Sequence, residues 1–513
     1  MTAIVYIRRL TALLLSSLVL LMLLGCGGGG GNSAASYSSS LDLTLTTADE
    51  AFNSRQIRSV STARAQTGDP DFVTLIEITV RADDIDPPIS ESFTLTGSEP
   101  TVTVALLVPA GNDRAITALL YNEDGVPIFE GQTTVDLLAR VEQVTIVLQS
   151  LLATFAYAGN NVSDNVSGFS INSSTGALSA TSGSPFSDSG VASADIRALT
   201  ADPFGSYLYV ANGIDGSVSG FSINSSTGAL SAISGSPFSD TSPPSDFPVA
   251  LAVDPSGSFV YVLNGSVFGT VSGFSVNSGT GALTTISGSP FSDSGVASPD
   301  AVALAADPLE RFLYVANRSD DSVSGFNLNS STGALTVISG SPFVDPWASF
   351  PGIHAVAMDP SGSFVYTANF SSGDISGFGI NSSTGALTAI SGSPFSDPAP
   401  TSPDPIALAA HPSENFLYVV NSGDDSVSGF SINSSTGALT VISGSPFATT
   451  GTGPVALAVD PSGSFVYVTD SPNNISAFEI QDSDGALVSI PGFSLIPPTE
   501  EGAASIATTF TFP

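Results

Sequence analysis

Over about the last two thirds of the chain, apolar and polar positions follow one cassette that recurs with small changes. In the copy starting at Ser298 it reads S-P-D-A-V-A-L-A-A-D-P, then L-E-R-F-L-Y-V-A-N, R-S-D-D, S-V-S-G-F-N-L-N, S-S-T-G and A-L-T-V-I. Four short runs rich in Val, Ile, Phe, Tyr and Leu alternate with turn signals such as Asp-Pro-Ser-Gly and Ser-Thr-Gly. That pattern predicts four strands, A to D, joined by tight turns. Pro and Gly close every run within about ten residues, which leaves no room for a helix. The Phe of the third run recurs at Phe169, Phe221, Phe274, Phe326, Phe378, Phe430 and Phe478, at intervals of 52, 53, 52, 52, 52 and 48 residues.

A four-stranded sheet cannot bury both faces alone, whereas seven stacked radially can. The expected architecture is therefore all-β, a seven-bladed β-propeller over residues 152–513. The alternative, an open β-solenoid, usually repeats over fewer residues per coil. The ends of the array favour a ring. The first copy begins at Phe155-Ala-Tyr-Ala-Gly-Asn160, which matches strand B, with no strand A before it. The last residues, Ala504-Ser-Ile-Ala-Thr-Thr509, match strand A, with no strand B after them. Each end supplies what the other lacks, and closure removes exposed sheet edges.

The chain before the repeats divides into three parts. Arg8 and Arg9 precede an apolar run from Leu10 to Leu24 that is too short for a membrane span, so residues 1–25 read as a signal peptide. Leu23-Leu-Gly-Cys26 resembles the bacterial lipobox. Cys26, the chain's single cysteine, is the expected lipidation site, with Gly27 after it favouring the outer membrane. Residues 26–40 are a Gly/Ser tether. From 41 to 151, alternating runs such as Phe72–Val80, Thr101–Val108, Ala115–Tyr121 and Val141–Leu148 predict a small β-sandwich, Ig-like or transthyretin-like.

Lysine is absent and the formal net charge is −35. The propeller carries only Arg197, Arg311 and Arg318 as cations, so nucleic acid is an unsuitable partner. Turns A–B and C–D share one face and hardly vary. Turns B–C and connections D–A share the other, and the B–C turns vary: Gly213-Ile-Asp-Gly216, Arg318-Ser-Asp-Asp321, Ser371-Ser-Gly-Asp374, Gly423-Asp-Asp425. Function is expected on that second, acidic face. Its carboxylates read better as solvated turn residues than as calcium ligands, because no EF-hand-type loop occurs. No metal and no cofactor is expected.

Aligning strand A on its Asp-Pro sharpens the search. The fourth residue before that Asp is Ala in six copies (Ala198, Ala250, Ala303, Ala355, Ala407, Ala456). The fifth is Val249, Val302, Ile406 or Val455 in four of them, but Arg197 and His354 in the others. Arg197, Arg318, Trp347 and His354 are the rare residue types in a monotonous repeat. They are the expected ligand-binding group at the channel mouth, a buried cation pair and an indole suited to a small anionic ligand. His411, which replaces the turn Asp of other copies, reads as surface drift.

The Y-V-A-N, G-x-x-x-x-S-S-T-G-A-L and D-P-S-G-S-F-V-Y elements are similar to those of the lactonase family of seven-bladed propellers, over about Thr154 to Phe512. That family includes propeller-type 6-phosphogluconolactonases, muconate-lactonising enzymes and surface-layer relatives. The resemblance implies His, Arg and Glu around the channel mouth. Arg197 and His354 are the candidates, no matching Glu can be placed, and no catalytic role is carried over. Neither G-x-S-x-G, P-loop, HExxH nor CxxC is present. Two readings stand. The favoured one is a monomeric, lipid-anchored outer-membrane propeller that binds a ligand or envelope protein without catalysis. The other is a lactone hydrolase, with Arg197 orienting an anionic substrate and His354 as the acid–base group.

Overall fold

In the computed structural model the chain divides into two compact units, Met1–Leu152 and Ala153–Pro513. The structure describes the strands between residues 40 and 150 of the first unit. Of the second it describes residues 153–511, apart from short segments that are chiefly 240–246, 294–299, 347–351, 398–403 and 491–502. The signal segment, Cys26 and the tether lie outside the described residues.

The described part of the first unit is all strand. A seven-stranded sheet runs in the order Ile85–Thr94, Leu75–Ala82, Gly111–Tyr121, Pro127–Leu137, Glu142–Ser150, Ser40–Thr46, Ala105–Leu107, with a separate ladder between Val60–Ser61 and Thr101–Val102. Leu75–Ala82 shows the period of two that the sequence predicts, burying Ile76, Ile78 and Val80.

The second unit is seven antiparallel sheets, each built A-B-C-D. In blade 4, for example, the strands are Ala301–Ala306, Phe312–Asn317, Ser322–Leu328 and Leu335–Val337. Each strand A packs against the strand A of both neighbouring blades, so the A strands form the inner ring. Blade 1 takes its strand A from the C-terminus: Ala503–Thr511 pairs antiparallel with Ala153–Asn160, from Thr511 opposite Ala153 to Ala503 opposite Asn160. The ring closes as the two ends of the array predict.

The core is distributed. Seven apolar clusters each lie between consecutive blades, and the last joins Phe465 and Tyr467 of blade 7 to Phe169 and Ile171 of blade 1. Ala250, Ala303, Ala355, Ala407 and Ala456 enter these clusters, where a larger side chain on the inner strand would crowd the next blade.

One repeated hydrogen bond couples the blades. The Tyr hydroxyl of strand B donates to the carbonyl of the Gly that ends the next copy's C–D turn: Tyr157 to Gly228 (2.8 Å), Tyr314 to Gly385 (2.8 Å) and, across the closure, Tyr467 to Gly176 (2.8 Å). The bond is present at all seven interfaces, and burial raises every one of these phenol pKa values. The Gly has to be Gly. At Gly385, φ is +70° and an added Cβ would lie 2.5 Å from Ile338 and 2.7 Å from Phe312.

Candidate functional site

The face carrying the B–C turns has a backbone frame of its own. Immediately after the strand-B Asn, a backbone N–H donates to the carbonyl of the residue that precedes strand A. The pairs are Gly213 to Asp195 (3.1 Å), Gly265 to Phe247 (2.8 Å), Arg318 to Asp300 (3.1 Å), Phe370 to Gly352 (3.2 Å) and Ser422 to Asp404 (3.2 Å). In the same corner strand A carries a β-bulge, between Ile196 and Ala198 in blade 2 and at the matching place in blades 3 to 7. The extra residue is Arg197, Val249, Val302, His354, Ile406 or Val455, the position singled out in the sequence. A bulge re-aims its side chain. Each corner therefore presents three side chains on a constant frame: the residue before strand A, the bulge residue, and the residue after the Asn.

The acidic turns are largely structural. Asp164, Asp321 and Asp425 adopt φ of +53°, +51° and +51°. Each accepts a backbone N–H at the start of the next blade: Asp195 (2.8 Å), Gly352 (2.8 Å) and Gly453 (2.6 Å) respectively. Among the described residues no three His, Cys, Asp or Glu gather as metal ligands.

The four expected ligand residues have different fates. Arg197 stays within its own corner, its guanidinium 2.6 Å from Asp195 and its side chain 54% exposed. Arg318 reaches from blade 4 into blade 5. Its Nε and Nη2 donate to the two carboxylate oxygens of Asp300 (3.0 and 3.3 Å), and its Nη1 donates to Nε2 of His354 (3.3 Å). His354 in turn stacks on Phe370, with ring centroids 4.6 Å apart and planes within 15°. Trp347 lies outside the described residues. The buried cation pair is not formed: Arg197 and Arg318 are each substantially exposed, each paired with its own aspartate. An acidic chain with so few cations neutralises each of them locally.

Electrostatics at the blade 4–5 corner follow from these contacts. The hydrogen bond from Arg318 holds the Asp300 carboxyl below its usual range, against the opposing effect of partial burial. Burial first, and the neighbouring Arg318 second, push the His354 imidazole below its ordinary value, with Asp300 partly offsetting them. Guanidinium has no acceptor, so Nε2 of His354 offers its lone pair and the proton sits on Nδ1. The corner holds a neutral imidazole beside an ion pair with no net charge.

His411 is not surface drift. It is 4% exposed, and its Nδ1 accepts the backbone N–H groups of Ser413 (3.2 Å) and Glu414 (2.9 Å). Its Nε2 donates to the Gly463 carbonyl of the next blade (2.8 Å). The contact with Ser413 reproduces one that the turn Asp makes elsewhere, as when Asp359 accepts the backbone N–H of Ser361 (3.1 Å). The contact with Gly463 matches Arg311, which is bonded to Asp307 and reaches Gly362 O at 2.7 Å. Asp300 and Phe370 were missed in the sequence. Their signal is positional, since the residue after the strand-B Asn varies (Gly213, Gly265, Arg318, Phe370, Ser422) while that Asn does not.

Seven four-stranded blades closed into a ring around their inner strands define a seven-bladed β-propeller. The sequence matches the Lactonase, 7-bladed beta-propeller family over residues 147–297, 251–402 and 397–496, and the chain belongs to that family. No curated protein matches it. Among solved structures it is similar to the periplasmic gluconolactonase PpgL of Pseudomonas aeruginosa (19% identity, 71% of this chain and 100% of that one, TM-score 0.57). It is also similar to candidate 6-phosphogluconolactonases of Bacteroides uniformis (18%, 70% and 99%, 0.55) and Bacteroides fragilis (20%, 70% and 98%, 0.55). At these identities the likeness is one of fold.

Proposed function

We propose that the protein is a lipid-anchored module of the cell envelope, held by Cys26 at the outer membrane, whose propeller binds a ligand or partner protein through its corner face without catalysis. The observation that carries this reading is how the cationic and imidazole groups are used. Arg197, Arg311 and Arg318 each pair with an aspartate, Nε2 of His354 accepts from Arg318, and both nitrogens of His411 are bonded to backbone. A hydrolase acting on a lactone needs a base free to take a proton from water and a group to stabilise the oxyanion. Here the side chains best suited to those tasks hold one another or the backbone. A monomer without cofactor suits such a module, and the scarcity of cations disfavours nucleic acid.

Lactone hydrolysis is the second reading. Family membership and the neutral His354 beside Arg318 favour it. A panel of sugar lactones assayed with the Cys26→Ala protein and its His354→Ala variant separates the two. The expected result is no turnover above background that depends on His354. Turnover lost with His354 would establish the hydrolase instead. Fractionating cells that express Cys26→Ala tests the anchor. The protein is expected to leave the membrane fraction, and its retention there would place the anchor elsewhere.

A further inference from the structure

The blade 4–5 corner also indicates what kind of ligand it suits, an inference that rests on the binding reading above. We infer that Asp300, Arg318, His354 and Phe370 form a subsite for a non-ionic, polyhydroxylated ring, a neutral saccharide, and not for an anion.

Three observations carry this. First, Arg318 already holds a carboxylate through two of its nitrogens, and the side chains of that pair are 40% and 44% exposed. An anionic ligand would have to displace a carboxylate tethered in the same corner, whose effective concentration is of millimolar order or higher. It would also leave Asp300 facing the incoming charge. A hydroxyl group needs no displacement, because it can accept from the guanidinium and donate to the carboxylate at once. Second, the polar groups alternate. Carboxylate oxygens, guanidinium N–H groups and imidazole lie within 3.3 Å of one another in sequence, and adjacent sugar hydroxyls match such an array. Third, the half-buried Phe370 and His354 form a stacked pair beside that array. An aromatic face fits the C–H face of a pyranose, which buries apolar area without asking for charge. The bulge at His354 and the frame bond from Phe370 N to Gly352 O fix both rings from backbone that other blades share, so the subsite is built before any ligand arrives.

The test is calorimetric titration of the full Cys26→Ala protein. The probes are neutral sugars (glucose, N-acetylglucosamine and their short oligomers) and matched acids (glucuronic acid, glucose 6-phosphate). Neutral sugars are expected to bind at least as tightly as the matched acids. Affinity should fall about tenfold or more in Phe370→Ala and in Arg318→Ala, and in Arg318→Lys, which keeps the charge but loses the planar fork. Val488→Ala, exposed on the outer strand Leu487–Ser489 of blade 7, should bind as the parent does, and melting curves check that each variant is folded. Tighter binding of the acids overturns the inference, as does neutral-sugar binding that survives all three corner variants. So does a lack of response to every neutral sugar at millimolar concentration. If sugars fail while Arg318→Ala and Phe370→Ala abolish capture of an envelope protein, the saccharide subsite is wrong and the wider binding reading stands.

Discussion

The two faces of the ring are made from the same seven copies and obey opposite rules. On the A–B and C–D face, side chains perform the coupling: Tyr hydroxyls reach Gly carbonyls and buried turn acceptors gather backbone N–H groups, so those residues hardly change between copies. On the B–C and D–A face, backbone sets the corner within each blade, while the turn carboxylates of Asp164, Asp321 and Asp425 hold the next blade's amides. The frame bond and the bulge recur while the side chains beside them run from Gly to Arg, His and Phe. Where side chains bear the structure, the repeat is monotonous. Where backbone bears it, side chains are free to meet something else.

That contrast can be broken deliberately. The largest effect is expected from deleting residues 503–513, which removes the inner strand of blade 1 together with its contacts to blades 2 and 7. The loss should be comparable with the whole stability of an ordinary domain, about 5–15 kcal/mol, and should abolish the cooperative thermal transition of the propeller. An unchanged midpoint would mean that the ring does not depend on closure.

A smaller change on the invariant face is Tyr314→Phe, which strips the partner from the Gly385 carbonyl at a buried interface. A loss of about 1–3 kcal/mol is expected in denaturant unfolding, with Tyr467→Phe behaving alike because the closing interface is built like the others. Equality of Tyr314→Phe with wild type would show that the repeated hydroxyl is ornamental.

Smaller still, and dependent on pH, is Asp470→Asn. Six copies end strand B in Asn, and blade 7 has Asp470, fully buried with Oδ1 lacking a hydrogen-bond partner. Burial raises its pKa, opposed by bonds from Ser476, Asn474 and Gly451. A carboxyl whose folded pKa lies above its unfolded value supports the fold below the unfolded value. That support is lost as pH rises from there through the folded pKa. Asp470→Asn should therefore gain on wild type between acid and neutral pH, by about 1 kcal/mol. Unfolding curves at both pH values check the sign, and a gain only in acid would reverse it.

Most of the fold was legible because its determinants are printed seven times: a strand-B Tyr and a C–D-turn Gly mark each interface, and the orphan strands at the two ends announce the closure. The corner was only half legible. Rarity picked out Arg197, Arg318 and His354, but Phe370 belongs to a common residue type and Asp300 to an acidic chain, so neither stood out. The bulge leaves no mark in the alternation of strand A, and without it the exposure of position 354 cannot be read. His411 was misjudged because its work is done on backbone atoms, which a one-letter code does not show. The acidic turns misled in the same way: Asp164, Asp321 and Asp425 bind the next blade's amides.

The most direct test replaces the blade 4–5 corner with the residues of blade 6, as the triple variant Arg318→Ser, His354→Ile, Phe370→Ser, and follows thermal melting beside Tyr314→Phe. The exposed Arg318–Asp300 pair contributes about 0–1 kcal/mol and the ring stack about 0.5–1.5 kcal/mol, so the triple variant should lose at most about 2.5 kcal/mol and keep its cooperative transition. A loss well beyond that of Tyr314→Phe would show that the corner bears the structure, and would contradict the division between the two faces.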